Sequence, residues 1–162
     1  MDSNLVMYEE EFERIQHLLQ RLRVDASAKI VFLVDKNGQQ IAGAGEIDQV
    51  DTTSLASLTA GNVAATDGLA KLIGEKEFSI LFHEGRKDNI HISIVGQRLI
   101  LVVIFDERSS LGLVRLRVRK ASGDIVRVLV DMETKAQQIG AAEIASPFAE
   151  ITDDDIDALF SE

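Results

Sequence analysis

The side chains that most often do chemistry are scarce in this sequence, and none sits in a pattern that a reaction requires. There is no Cys, which removes thiolate nucleophiles, thiolate metal ligands and disulfides. Of the three histidines, His17 lies in a helical pattern and His83 and His91 flank a turn. Counting outward from that turn places His83 opposite Ile90 and His91 opposite Phe82, so the two rings are offset. With no Cys near them they make a poor zinc site, and polar strand positions account for them. Ser109-Ser110 opens an apolar helical run and reads as a helix cap; no histidine stands near it in sequence to serve as a base. Gly43-Ala44-Gly45 is a G-x-G fragment. It lacks the third glycine of a dinucleotide loop, and no Gly-Lys-Ser/Thr follows it. No metal, no cofactor and no catalytic residue are predicted.

What does stand out is a helix with an odd face. The stretch DTTSLASLTAGNVAATDGLAKLIG, residues 51–74, opens on Asp/Thr capping residues and closes on Gly74, good start and stop signals. At about 100° per residue, Leu55, Leu58, Asn62, Ala65, Leu69 and Leu72 share one stripe, which is predicted to face a sheet. The opposite side presents Ser57, Ala60, Gly61, Ala64, Asp67, Gly68 and Lys71. Gly61, Ala64 and Gly68 recur at steps of three and four, a spacing that lets another backbone come close. Glycine at 61 and 68 costs the helix roughly 1 kcal/mol each, so a compensating contact is expected. It is either a partner molecule or tight packing within one protomer.

Other elements must position that helix. MYEEEFERIQHLLQRLRVD carries Tyr8, Phe12, Ile15, Leu19 and Leu22 at steps of four and three, an amphipathic helix. AKIVFLVD reads as a strand, Asn37-Gly38 as a two-residue hairpin turn, and QQIAGAG as the return strand. EFSILFHEG and NIHISIVG form a second hairpin. RLILVVIFD follows Gly96-Gln97, and its unbroken apolar run predicts burial on both faces. A last helix runs through SSLGLVRLRVRKASGDIVRVLVDMETKAQQ, with Leu111, Val114, Val118, Ala121, Ile125, Val128 and Met132 on one stripe. Gly140 to Pro147 reads as a linker. The order is α-β-β-α-β-β-β-α. Short loops predict a mainly antiparallel five-stranded sheet, and the doubly buried strand predicts a three-layer α/β/α sandwich, of α+β type. The connections suggest the middle helix on one face and the first and last on the other.

Composition narrows the class. The chain has 162 residues, 46% of them hydrophobic and 27% charged, with a single Pro, as a globular domain requires. The opening MDSNLVMYEEEF has no basic and apolar leader pattern, and no apolar run reaches about 18 residues; a cytoplasmic protein without membrane insertion is expected. The net charge of −10 argues against nucleic acid or anionic lipid as main partners. Residues 148–162 hold six acids and no base, leaving only −4 on the remainder, so the tail is a separate feature.

On these grounds the chain resembles the Roadblock/dynein light-chain family. The resemblance covers about residues 7–139 and rests on the element order, the Asn-Gly hairpin and the Ala/Gly-rich middle helix. It is most specific in SLTAGNVAATDGLAKLIGE and LILVVIFDERSSLGLVRLR, which are similar to bacterial members that regulate a small Ras-like GTPase. The resemblance implies a Roadblock domain over residues 1–139, with residues 140–162 as linker and acidic tail. It implies a homodimer formed by pairing of edge strands, for which Phe78, Ile80 and Phe82 of EFSILFHEG are the candidates; left unpaired, such an edge is an aggregation hazard. It further implies that the middle-helix face from Ser57 to Lys71 meets the GTPase, that the chain activates GTP hydrolysis, and that it serves front-rear polarity and gliding motility from a cell pole. Many activators insert an arginine finger. Arg115, Arg117, Arg119 and Arg127 lie on the last helix and Arg86 in a turn, and the small-residue face has none. The resemblance instead implies reshaping of the partner's own catalytic residues. A non-activating Roadblock scaffold and a PAS- or GAF-like ligand sensor remain the alternatives.

The tail SPFAEITDDDIDALFSE has its own pattern. Thr152 caps a short predicted helix with acids in its first turn, and Ile156, Leu159 and Phe160 gather on one side, with Ile151 just before the cap. Such a segment suits a partner groove, and a second contact with the GTPase is expected of it. A solvating acidic tail is the competing reading.

Overall fold

The strand β5, Leu99–Phe105, is seven consecutive apolar residues, and every one of them is buried. A strand of that kind needs cover on both sides, and the rest of the chain supplies it. The computed structural model describes the backbone of residues 7–149 and the side chains of residues 7–140. Around β5 it places α1 (Glu9–Asp25), β1 (Ile30–Asp35), β2 (Gln40–Gly45), a 3-10 turn (Ile47–Gln49), α2 (Thr52–Leu72), β3 (Ile80–Glu84), β4 (Asn89–Val95) and α3 (Leu111–Ala149). The five strands form one sheet in the order β2-β1-β5-β4-β3, and every neighbouring pair is antiparallel. The predicted element order and fold class are those observed.

Alternation along the strands divides the core in two. Val31, Leu33, Leu101, Val103 and Phe105 point toward Ile15, Leu19 and Leu22 of α1 and Val114, Val118, Ile125 and Met132 of α3. Phe32, Val34, Ile92, Ile100 and Val102 point the other way, under Ala56 and Val63 of α2. The molecule is therefore three layers thick, with α2 as the one α-helix on its face among the described residues.

Turns set the register. Asn37-Gly38 joins β1 to β2; Gly38 has φ +91°, and the Asp35 carboxylate accepts from the amides of Asn37 and Gln39, both at 2.9 Å. Gly96 and Gln97, at φ +61° and +66°, give the turn into β5 the positive angles that a type I′ hairpin needs. The G-x-G fragment is structural: Gly45 has φ +95°, and a Cβ there would collide with the Lys29 carbonyl oxygen. Ser110 caps α3 by accepting from Leu113 N at 3.2 Å, as expected of Ser109-Ser110.

Three predictions are corrected. The α1 stripe holds at Ile15, Leu19 and Leu22, but Phe12 is exposed and Glu11 is buried in its stead. Lys135 of α3 makes that burial tolerable: its ammonium lies 3.3 Å from Glu11 Oε1 and 4.7 Å from the Tyr8 ring centroid. The linker expected over residues 140–147 is helical, because α3 runs on to Ala149. The run GAAEIA holds three of the strongest helix formers, and one glycine does not offset them. Finally, β3 begins at Ile80, so Phe78 precedes the strand it was assigned to. The tail residues Ile151, Ile156, Leu159 and Phe160 lie outside the described residues.

The predicted offset of the histidines is present: Phe82 pairs with His91 and His83 with Ile90. His91 is 1% exposed and faces α3. Around it stand Phe82 of β3, Val103 of β5, Ser93 of its own strand, and Arg115 and Arg119 of α3. Burial first, and then the Arg115 charge, hold its pKa below the ordinary 6.5. Between the two values the unfolded chain binds the extra proton, so stability is complete above the ordinary pKa and falls as pH drops through it. Urea unfolding should therefore show stability declining from about pH 7 to pH 5.5, and His91→Gln should flatten that decline. Parallel pH profiles for the two proteins would remove His91 from the account.

Candidate functional site

The outward surface of α2 is the candidate site, and Asp51 fixes where the helix begins. Its carboxylate accepts from Ser54 N at 3.1 Å and Ser54 Oγ at 2.7 Å, and the Ser54 hydroxyl and amide hold its pKa below the usual carboxylate value. At the other end Gly74 takes φ +81°, beyond the last turn.

The helix does not lie on the sheet in the orientation that its leucines predict. The buried residues are Ala56, Thr59, Val63 and Ala70, whereas Leu58, Leu69 and Leu72 are 73%, 59% and 83% exposed. The rotation has a steric reason. The sheet beneath already fills its surface with Phe32, Ile92, Ile100 and Val102, and small side chains let α2 settle close upon them. A leucine stripe on the inner side would hold the helix away. Of the apolar stripe read from the sequence, Leu55 packs against this core, while Leu58, Leu69 and Leu72 are turned to solvent.

The small-residue face divides into two parts with different causes. A Cβ at Gly38 would lie 3.3 Å from Ser57 Cα and 3.7 Å from Ala60 Cβ, so the β1–β2 turn presses against α2 there. Ser57 and Ala60 are small for a reason internal to the protomer. Gly61 and Gly68 have nothing within 4 Å of where a side chain would begin. Gly61, Ala64, Gly68 and Lys71 are exposed, and Asp67 is half-buried. Together with Leu58, Leu69 and Leu72 they make one open surface, apolar for the most part, on which a partner could reach the helix backbone. The leucines of this surface are visible in the sequence as a stripe, but their periodicity does not say which side of the helix meets the sheet.

The flank of α2 leads to a sheet edge. Asn62 Nδ2 meets His83 Nε2 of β3 at 2.9 Å, so the side of the helix carrying Leu58 and Leu69 leans over β3. Among the described residues that strand pairs only with β4. The opposite edge is partly closed, since Gln16 Nε2 of α1 donates to Gly43 O of β2 at 2.7 Å. On β3, Ile80 is 48% exposed. Phe82 is turned inward, its ring stacked on Phe105 with centroids 6.2 Å apart. Of the three edge candidates, Ile80 alone stands on the strand with its side chain well exposed.

The arginines lie elsewhere. Arg115, Arg117, Arg119 and Arg127 belong to α3, across the sheet from α2, and Arg86 sits in the β3–β4 turn. No Arg occurs within Thr52–Leu72, and Lys71 is its one cation. Among the described residues no three His, Asp or Glu side chains gather as a metal ion would need. No described helix is long and apolar enough to cross a membrane.

Known proteins share this arrangement. The Roadblock/LC7 domain matches residues 14–105. The chain is 62% identical to Myxococcus xanthus MglB, over 79% of this chain and 96% of that one, with a TM-score of 0.75. It is 31% identical to the gliding protein MglB of Thermus thermophilus, over 81% of this chain and 99% of that one, with a TM-score of 0.73. An MglB solved in a tetrameric arrangement is 30% identical, over 82% of this chain and 99% of that one, with a TM-score of 0.74. No curated protein sequence matched. A domain match across more than half of the chain and a relative aligned along nearly its whole length agree with the five-stranded sheet and its lone-helix face: the chain belongs to the Roadblock/LC7 domain family.

Proposed function

We propose that this protein is a homodimeric regulator of a small Ras-like GTPase of the MglA kind. It docks the GTPase on the outer face of α2 and stimulates GTP hydrolysis without a catalytic residue of its own. Its similarity to two MglB structures at 62% and 31% identity supports the choice of partner. The observation that carries the reading is the open face of α2: three leucines exposed beside two glycines with empty space above them. Burying a leucine is worth roughly 1.5–3 kcal/mol, so this surface gains from a partner. The same helix carries no arginine, so activation proceeds by repositioning groups of the GTPase itself. In that role the protein serves cell polarity and gliding motility from the cytoplasm, concentrated at a pole. The acidic tail adds a second contact with the GTPase through Ile151, Ile156, Leu159 and Phe160.

The two-fold axis runs beside β3. Pairing of two β3 strands joins two sheets into one and brings the Leu58–Leu69 flanks of both α2 helices together. The exposed side chain of Ile80 lies on the opposite face of the seam, toward α3. Gly61, Ala64 and Gly68 then remain on the upper surface for the GTPase.

Two sets of variants separate these contacts. Gly68→Arg places a long cation where a partner backbone must approach, and overpacking of that kind costs about 1–3 kcal/mol. GTP turnover by the partner should fall to its intrinsic rate while circular dichroism and dimer mass stay unchanged. Full stimulation by a folded Gly68→Arg protein would move the docking site off α2. Leu58→Asp with Leu69→Asp should convert the dimer, at twice 17.8 kDa by light scattering, into a monomer with the same helix content. A persistent dimer would place the two-fold axis elsewhere.

A further inference from the structure

On the face of the sheet away from α2, β3 and β4 extend beyond the cover of α3 and leave a cleft of about 340 Å³. Its floor is polar. His91 is 1% and Ser93 5% exposed, yet both ring nitrogens of His91 and the hydroxyl of Ser93 lack a hydrogen-bond partner among the described residues. Groups so deeply buried are normally satisfied. The far wall is α3, which sets Arg115, Arg119 and Ser122 along one flank at steps of four and three, so they point the same way. Among the described residues no acid lines the cleft, in a chain of net charge −10. Ile80, opposite Ser93 in the register, supplies an apolar side.

We infer that this cleft binds a small organic oxyanion, a carboxylate or phosphate monoester, whose charged end is held by Arg115 and Arg119 while its body rests on Ile80 and meets Ser93 and His91. The volume falls in the range of small-molecule sites, which pair apolar walls with a few convergent polar groups. Guanidinium groups suit either oxyanion. A neutral His91 brings one donor and one acceptor, and its low pKa keeps it neutral near pH 7. Ser93 adds a hydroxyl able to do both. The site lies across the sheet from α2 and is independent of the GTPase reading.

Nuclear magnetic resonance on the labelled full chain tests this, with phenyl phosphate and benzoate as probes and phenol as the uncharged control. At least one anion should give saturable shifts at His91, Ser93 and the Arg115 side chain; which of the two saturates first identifies the headgroup. Phenol should give none. Arg115→Gln with Arg119→Gln, on an exposed flank, should keep the amide spectrum and weaken the anion by about tenfold or more. Shifts that never saturate, equal affinity in the double variant, or an equal response to phenol would overturn the proposal. So would binding that appears only on dilution to monomer, since that would mean a second copy fills the cleft.

Discussion

The whole arrangement hangs on β5. An all-apolar strand in the middle of a sheet gains its stability only when both faces are dry, and this chain is too short to cover both generously. Two helices, α1 and α3, lie on one face, and the other is left to α2 alone. α2 reaches over β3, where Asn62 meets His83, but it does not pair that strand's outer edge. The consequence is an asymmetric molecule: a thick side, a thin side, and an edge at β3 with no neighbour strand among the described residues.

The thin side is where the sequence has been shaped most tightly. α2 is close to the sheet because Ala56, Val63 and Ala70 are small or slender and buried, and close to the hairpin turn because Ser57 and Ala60 give Gly38 room. Its leucines are then free to face outward. A helix apolar on both sides makes sense only between two surfaces, and the protomer supplies one of them. The glycines with open space above them continue the same logic at the backbone level. They sacrifice helix stability for close approach, and nothing among the described residues uses it.

How much of this is legible in the sequence depends on whether the signal is local. The β5 run, the Asn-Gly turn, the Asp51 cap and the Ser110 cap each state their own geometry within a few residues, and each is where its residue types put it. The pairing of His83 and His91 follows from counting along one hairpin. The orientation of α2 does not follow, because two apolar stripes compete on that helix and the choice belongs to the sheet beneath it. Phe12 and Glu11 depart from their pattern for the same reason: the place of Glu11 is set by Lys135, 124 residues away. At the end of α3, Gly140 suggests a stop that the alanines around it override. The cleft beside His91 is invisible in the sequence, since it arises from α3 ending its cover short of β3, a distance that no periodicity encodes. The arginines that edge it, Arg115 and Arg119, read in sequence only as residues of the last helix.

In the proposed function the outer face of α2, rather than the thick side with its arginines, receives the GTPase. Hydrogen-exchange mass spectrometry on the full chain, alone and with the GTP-loaded partner, tests it most directly. Exchange should slow across Thr52–Leu72 on complex formation, with the Leu111–Met132 stretch of α3 unchanged. Protection over that part of α3 with α2 unaffected would contradict it.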